Sequence, residues 1–428
     1  MGPRNERWAA SANVASPKKT RSTHLTIRST RLHTLSLLLL VAAFASAVDS
    51  KMMKAVRVSA FGAPSELKTE SIQRPEVGPG EVLVRVVAAG VNPVETYKRA
   101  GTYAKHLLPA LPFTPGSDGA GVVELVGAGV TGVSAGQRVW LSGSTSGTYA
   151  EYCVAKEGDV HPLPPAVSFR AGAGIGTAYR TAYRALFTRV TAKAGHTVLV
   201  HGASGGVGLA AVQLARAAGC KVVGTLTTQH AVGLAAVQLA RAAGCKVIGT
   251  AGSEEGMALV KAQGGEAVNH RTEGYIEEIR KLTPDGKGVD FVLEMAAHVN
   301  LNSDLGLLAK GGTVVVVGDP GFGDLGLLAK GGTVVVVGNR GEVNINPRLL
   351  MACEVSIVGV LGPGSPDEAK QVMAGIRGGL ESGSLLPIAG PCFPLDDAPE
   401  SHIEVIEHKL GSRGKIILDV SPEAKQEL

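Results

Sequence analysis

The chain has 428 residues, 45% of them hydrophobic and 18% charged, a globular composition long enough for two domains of ordinary size. Its net charge of +5 comes from the first 51 residues, where eight Lys and Arg face only Glu6 and Asp49; the rest is nearly neutral and carries no strong electrostatic footprint for nucleic acid. The five cysteines form no CxxC pair, which argues against a disulfide scaffold or a cysteine-rich zinc lobe.

Residues 1–34 are rich in Arg, Lys, Ser and Thr, and an apolar run from Leu35 to Val48 follows, ending in Ala45-Ser46-Ala47. This pattern reads as a targeting leader with a small-residue cleavage site. A secretory signal, an organellar transit peptide and an extension upstream of a start at Met52 or Met53 all fit it. A start at either methionine implies the cytoplasm; a leader implies a mitochondrion, a plastid or the ER lumen. The run is too short for a stable membrane span. The last four residues, Lys425-Gln426-Glu427-Leu428, resemble an ER retrieval signal, but so short a pattern reads first as a solvated polar tail.

From Met53 to about Pro164 the chain offers short β runs: Lys54–Val58, Glu81–Ala88, Gly121–Val126 and Arg138–Leu141. Pro75, Gly78-Pro79-Gly80 and Pro115-Gly116 punctuate them, which predicts a β-rich, partly barrel-like domain. From about Ala171 helices alternate with buried strands. Thr197–His201, Cys220–Gly224, Val289–Glu294 and Thr333–Val337 read as strands, and Leu209–Ala218 as a helix stopped by Gly219. Such alternation predicts a doubly wound parallel sheet. A helix over Pro366–Gly378 and a closing strand over Lys415–Leu418 end the pattern. The expected boundaries are 1–51 for the leader or extension, 52–172 for the β-rich domain, 173–345 for the parallel-sheet domain, and 346–428 for a return to the first domain and a tail.

Two segments occur twice. Val207–Thr225 recurs as Val232–Thr250 with one difference, Val223 against Ile248, and Asp304–Gly318 recurs unchanged as Asp324–Gly338. The offsets differ, so the pattern is no solenoid; it reads as recent tandem duplication or a gene-assembly error. The first copy of the first pair adjoins the glycine loop and is expected to dock. For the second pair the later copy is favoured, because Gly338-Asn339-Arg340-Gly341 follows it.

The strongest chemical signal is Gly202-Ala203-Ser204-Gly205-Gly206-Val207-Gly208, between an apolar strand and an Ala-rich helix. Its glycines let backbone N–H groups approach a pyrophosphate, and the helix N-terminus adds partial positive charge. NAD-preferring folds place an acid at the end of the next strand. Here Gly224-Thr225-Leu226 and Gly249-Thr250-Ala251 carry none, which favours NADPH. Ser253, His270, Arg271 and Arg413 are candidate partners for its 2′-phosphate.

Several stretches resemble the zeta-crystallin type of quinone reductase within the medium-chain dehydrogenase/reductase family. They include Gly90-Val-Asn92-Pro-Val-Glu-Thr-Tyr97, Gly101-Thr-Tyr103, Pro115-Gly-Ser-Asp118, Thr181-Ala-Tyr183-Arg-Ala-Leu186 and Val200-His-Gly-Ala-Ser-Gly-Gly-Val-Gly208. The resemblance runs from Met53 to Leu418 and implies an α/β fold with a Rossmann-type sheet and a GroES-like catalytic domain. It places NADPH contacts on Tyr97, Ser204, Gly205, Gly206, Val207, Gly208, Gly252, His270, Asn300, Val337, Gly338, Asn339, Arg340, Val360 and Leu361. Asn92, Tyr97, Tyr103 and Thr181 are the candidate catalytic residues, as hydrogen-bond donors to the acceptor or the carboxamide. Asn92-Pro93 reads equally as a turn, the two tyrosines as packing residues and Thr181 as a cap.

No metal is expected. Zinc-dependent relatives use a Cys and a His-Glu pair where this chain has Asn92 and Ser117-Asp118, leaving no thiolate or imidazole for a tetrahedral site. The implied reaction is NADPH-dependent quinone reduction without metal. Reduction of enone or alkenal double bonds is one alternative; binding of AU-rich RNA, also associated with zeta-crystallin-like proteins, is another. The resemblance implies a homodimer or tetramer, with an exposed edge strand near Val355–Val360 as a route to pairing.

Overall fold

The computed structural model describes residues 52–103, 105–200, 205–224, 248–251, 254, 258, 261, 266–269, 272–283, 286, 289–294, 308–316, 333–336, 356–359, 364–407, 409–410 and 414–425. Strand β1 (Met52–Val58) pairs with β2 (Leu67–Gln73), and β3 (Glu81–Gly90) begins a larger sheet. Helix α1 (Pro93–Ala100) leads to β4 (Asp118–Val126), β5 (Arg138–Leu141), β6 (Tyr152–Lys156) and β7 (Val160–Pro162). β3 reads as a nearly unbroken apolar run because it lies inside the sheet, paired with β4 and β6 and buried at Val82, Leu83, Val84, Val86 and Val87. Asn92 and Pro93 start α1, with Pro93 at the position that needs no N–H donor. Gly101, at φ 73°, ends it in the left-handed conformation glycine tolerates.

Next come α2 (Phe169–Ala173), α3 (Gly176–Tyr183) and a wide π turn over Arg184–Arg189. The parallel-sheet lobe then runs β8 (Thr197–Val200), α4 (Gly206–Ala217), β9 (Lys221–Gly224), β10 (Ile248–Ala251), β11 (Glu266–Asn269), α5 (Tyr275–Leu282), β12 (Val289–Glu294), β13 (Leu308–Val316), β14 (Thr333–Val336) and β15 (Ser356–Gly359). The chain ends with α6 (Pro366–Glu381), β16 (Ala389–Pro394), α7 (Ala398–Glu407) and β17 (Lys415–Asp419). β17 pairs antiparallel with β3, so the last strand joins the first lobe's sheet. Gly219, at φ 78°, stops α4.

All strand pairs of the six-stranded sheet, ordered β15-β14-β13-β12-β8-β9, are parallel. The strand of the first repeat's first copy, β9, docks beside β8, as its link to the glycine loop predicts. The matching strand of the second copy, β10, pairs with β11 in a separate two-stranded sheet. The second repeat differs from expectation. Both copies contribute strands, and the earlier one, β13, lies against β12, while the later one, β14, is inserted between β13 and β15. Identical residues face each other across that pair: Val314–Val334, Val315–Val335 and Val316–Val336. A second copy of an apolar strand sequence is itself a good strand sequence, so the sheet admits it rather than expelling it.

One buried apolar cluster fills the first lobe around Val84, Val86, Leu141 and Tyr149. Another joins α2, α3 and α4 to β8 through Trp140, Leu186 and Val198. Arg184 is sunk beside it, its side chain 2% exposed, and donates from Nε to Glu368 at 2.6 Å. Replacing Arg184 with methionine is expected to cost about 2 kcal/mol, less than a fully sealed ion pair because Glu368 reaches solvent. Chemical denaturation of the two proteins checks it, and an unchanged midpoint refutes it. No helix among the described residues is long and apolar enough to cross a membrane.

Candidate functional site

The glycine loop meets the first lobe at a point the topology dictates. Gly205 forms a parallel bridge to Gly414, and α4 starts at Gly206 with no side-chain cap on its first N–H groups. Lys415 follows Gly414 and turns inward, only 7% exposed. Its ammonium donates to Asn92 Oδ1 and lies 3.5 Å from Asp118 Oδ2.

Asn92 stands at the junction of β3 and α1, 2% exposed. Its Nδ2 donates to Glu95 Oε1 at 3.2 Å and to Asp118 Oδ2 at 3.0 Å. The amide orientation is fixed by chemistry, since an ammonium needs the oxygen and carboxylates need the nitrogen. Both amide hydrogens are therefore used within the protein. Asn92 is thus a node of this buried network.

Glu95, one helical turn on, accepts from the Asn92 backbone N–H at 2.6 Å, the Ser117 N–H at 3.1 Å and the Tyr149 hydroxyl at 3.1 Å. Asp118, fully buried, accepts from the Thr177 N–H at 3.0 Å and the Thr177 hydroxyl at 2.8 Å through Oδ1. Tyr149 in turn faces His402 Nε2 at 3.3 Å. Thr181 is half-buried one turn beyond Thr177 on α3, so the two share a face. Tyr97 and Tyr103 are half-buried on and just after α1. Gly205, Gly206, Val207 and Gly208 form the start of α4. Ser204, Gly252, His270, Asn300, Val337, Gly338, Asn339, Arg340, Val360 and Leu361 lie outside the described residues, as do Ser253, Arg271 and Arg413. Sequence reasoning missed Lys415, Thr177, Tyr149 and His402; only Glu95 had left a signal, the Asn-x-x-Glu of a capping box.

Burial pushes the Glu95 carboxyl above the usual carboxylate range; Asp118 pushes the same way, while Lys415 and the Asn92 donors pull it back. The Tyr149 hydroxyl is raised by burial and by Glu95. Burial and Arg99 push His402 down to about 3, and burial with Arg377 and Arg180 pushes His161 down to about 4. Both imidazoles fold neutral. Their contribution is complete above the unfolded value near 6.5 and is lost as pH falls from there, down to about 4 for His161 and about 3 for His402. Glu95, raised rather than lowered, acts in the opposite sense, its contribution fading as pH rises. Between pH 7 and pH 5 each histidine is expected to remove up to about 2 kcal/mol of unfolding free energy. Denaturation at both values, with His402→Gln showing the smaller drop, checks this; a pH-independent midpoint counts against it.

The residues at this place do not suit zinc. The positions offer an amide, a serine and a carboxylate around an ammonium, with no thiolate or imidazole. Among the described residues no group of three His, Cys, Asp or Glu side chains suits a metal ion. The glycine turn does suit a nicotinamide dinucleotide: uncapped N–H groups at the start of a helix of twelve residues sit at the C-terminal edge of a parallel sheet.

A parallel Rossmann-type sheet and a GroES-like β lobe, meeting at a buried polar site, define the class of medium-chain dehydrogenases/reductases. Residues 78–165 match the alcohol dehydrogenase GroES-like domain, and 231–323 match the family described as zinc-binding dehydrogenase. Human quinone oxidoreductase is 44% identical over 376 residues, covering 87% of this chain and 99% of that one; the Rattus norvegicus protein gives the same figures. The chain belongs to the quinone oxidoreductase family, the zeta-crystallin type, and is an oxidoreductase. Among solved structures, Pseudomonas syringae quinone oxidoreductase superposes with a TM-score of 0.65 at 28% identity, covering 86% of this chain and 100% of that one. A mycobacterial protein solved with NADPH gives 0.65 at 27%, with the same coverage.

Proposed function

We propose that this chain reduces quinones with NADPH and without a metal. The observation that carries the reading is the place beside the glycine turn, where a lysine ammonium, an amide and two carboxylates stand instead of metal ligands. NADPH is favoured over NADH because neither β9 nor β10 ends in a carboxylate that would repel a 2′-phosphate. Residues 52–172 and 346–428 form the catalytic domain in this reading, and 173–345 the cofactor domain.

When bound, NADPH supplies the reducing equivalents. The first N–H groups of α4, with Ser204, hold the pyrophosphate. Tyr97, Tyr103 and Thr181 orient the carboxamide and the quinone oxygen, and Tyr97 also touches the cofactor. Gly252, His270, Asn300, the Val337–Arg340 segment, Val360 and Leu361 complete the cofactor contacts. The protein contributes position and exclusion of water rather than a chemical group of its own. A homo-oligomer formed through the edge of β15 fits the sheet order.

The test is NADPH oxidation with an ortho-quinone, with NADH, an enone and a chelator as further arms. NADPH is expected to exceed NADH by at least about tenfold in kcat/KM, a margin near 1.4 kcal/mol. The chelator should change nothing. Turnover of the enone alone moves the reading to double-bond reduction; loss of activity with the chelator ends the metal-free claim.

A further inference from the structure

Lys415 is the one cation in contact with both Asn92 and Asp118 among the described residues, and it reaches them along a narrow route. A Cβ on Gly90 would stand 3.2 Å from its Cε, one on Gly174 3.2 Å from its Cβ, and one on Gly206 3.4 Å from its Cδ. These glycines come from three elements: the end of β3, the C-cap of α2 and the first residue of α4. The aliphatic stem therefore runs through a glycine-lined passage that starts against the cofactor turn and ends at Asn92. A buried lysine with its stem confined on three sides has little rotamer freedom left, so its ammonium acts as a fixed point.

We propose that Lys415 is a positioning residue for the reductase reaction: its ammonium holds the Asn92 amide in place and ties it to the start of the cofactor helix. The proposal rests on the quinone reductase reading, and its scope is positioning, not contact with substrate. Two demands meet in the ammonium. Asp118 needs a counter-charge, because a buried carboxylate is costly without one. Asn92 Oδ1 needs a donor, or a buried acceptor goes unpaired and the amide is held from its nitrogen side alone. Charge balance alone can be met by removing both charges; the hold on Asn92 cannot.

That difference gives the test. Lys415→Met is expected to lower kcat at least tenfold and to lower the melting temperature, while NADPH affinity measured by fluorescence stays within threefold. Lys415→Met/Asp118→Asn removes both charges and with them the need for a counter-charge; kcat should still be at least tenfold down. Hydrogen exchange adds a readout independent of turnover: the backbone amides of 91–101 should exchange at least tenfold faster in Lys415→Met, where Asp118 still accepts from Asn92. Recovery of kcat to within twofold in the double variant would mean that Lys415 only balances Asp118, and would overturn the proposal. So would a tenfold loss of NADPH affinity with kcat retained, which marks a phosphate ligand, or unchanged exchange over 91–101. If the parent protein turns over no quinone, the functional reading fails, and the exchange arm still decides the positioning claim.

Discussion

Glu95→Gln is expected to destabilise the protein by about 3 kcal/mol, although it changes one atom. Each carboxylate oxygen already faces donors. Oε1 accepts from Ser117 N–H and Asn92 Nδ2, and Oε2 from Asn92 N–H and Tyr149. A glutamine must turn its NH2 toward one of these pairs, and either choice sets donor against a main-chain N–H. Burial that raises the Glu95 carboxyl works the other way, because a protonated acid is closer in shape to an amide. Three fixed N–H donors against one adaptable hydroxyl decide the balance for the carboxylate. Urea denaturation at pH 7 checks the size of the loss. A change under 1 kcal/mol would mean that Glu95 is already protonated in the folded protein.

Deleting residues 304–323 is expected to raise kcat/KM for NADPH by about tenfold or more. Doubly wound sheets that bind dinucleotides use six strands in the order 3-2-1-4-5-6. Here β8 and β9 take the first two places and β12 and β13 the fourth and fifth, and β14 then stands where the sixth belongs. β15, which leads to Val360 and Leu361, is set one strand spacing, about 4.8 Å, too far from the centre. Errors of even about 1 Å in a cofactor site cost up to about a hundredfold. Removing the earlier copy lets the later one take its place, with Gly338-Asn339-Arg340 following directly. Steady-state kinetics of the parent and the shortened chain decide it. Equal values would show that the extra strand is accommodated without cost to the cofactor.

Most of the fold was legible because its signals are local. The apolar runs over Thr197–Val200 and Val289–Glu294, the stop at Gly219 and the glycine turn at Gly205–Gly208 each follow from a few adjacent residues. The helix at Pro366 was legible for the same reason, with Ser365 accepting from the Glu368 N–H. The polar site was legible only in part. Asn92 and Glu95 announce themselves as a cap three residues apart. Lys415 lies 323 residues from the amide it holds, in a strand whose apolar neighbours Ile416–Leu418 made it look like a strand end. His402 likewise reaches Tyr149 across 253 residues. The fate of the repeats was legible only for the first pair, whose earlier copy is tied to the glycine turn; for the second pair docking depends on which neighbours remain unpaired rather than on the repeated residues themselves.

The matched pair β13 and β14 has a consequence for how the chain finds its final arrangement. Asp304–Gly318 and Asp324–Gly338 are the same fifteen residues, so the side chains cannot tell which copy belongs against β12. Two threadings of the sheet then have equal interior packing, and only the connecting segments separate them in energy. Natural sequences normally avoid such degeneracy by making each strand fit one slot better than any other. In this chain the choice passes from packing to loop closure, which depends only weakly on length. Selection of a single arrangement at this edge therefore rests on the segments that connect the strands, not on the strands themselves.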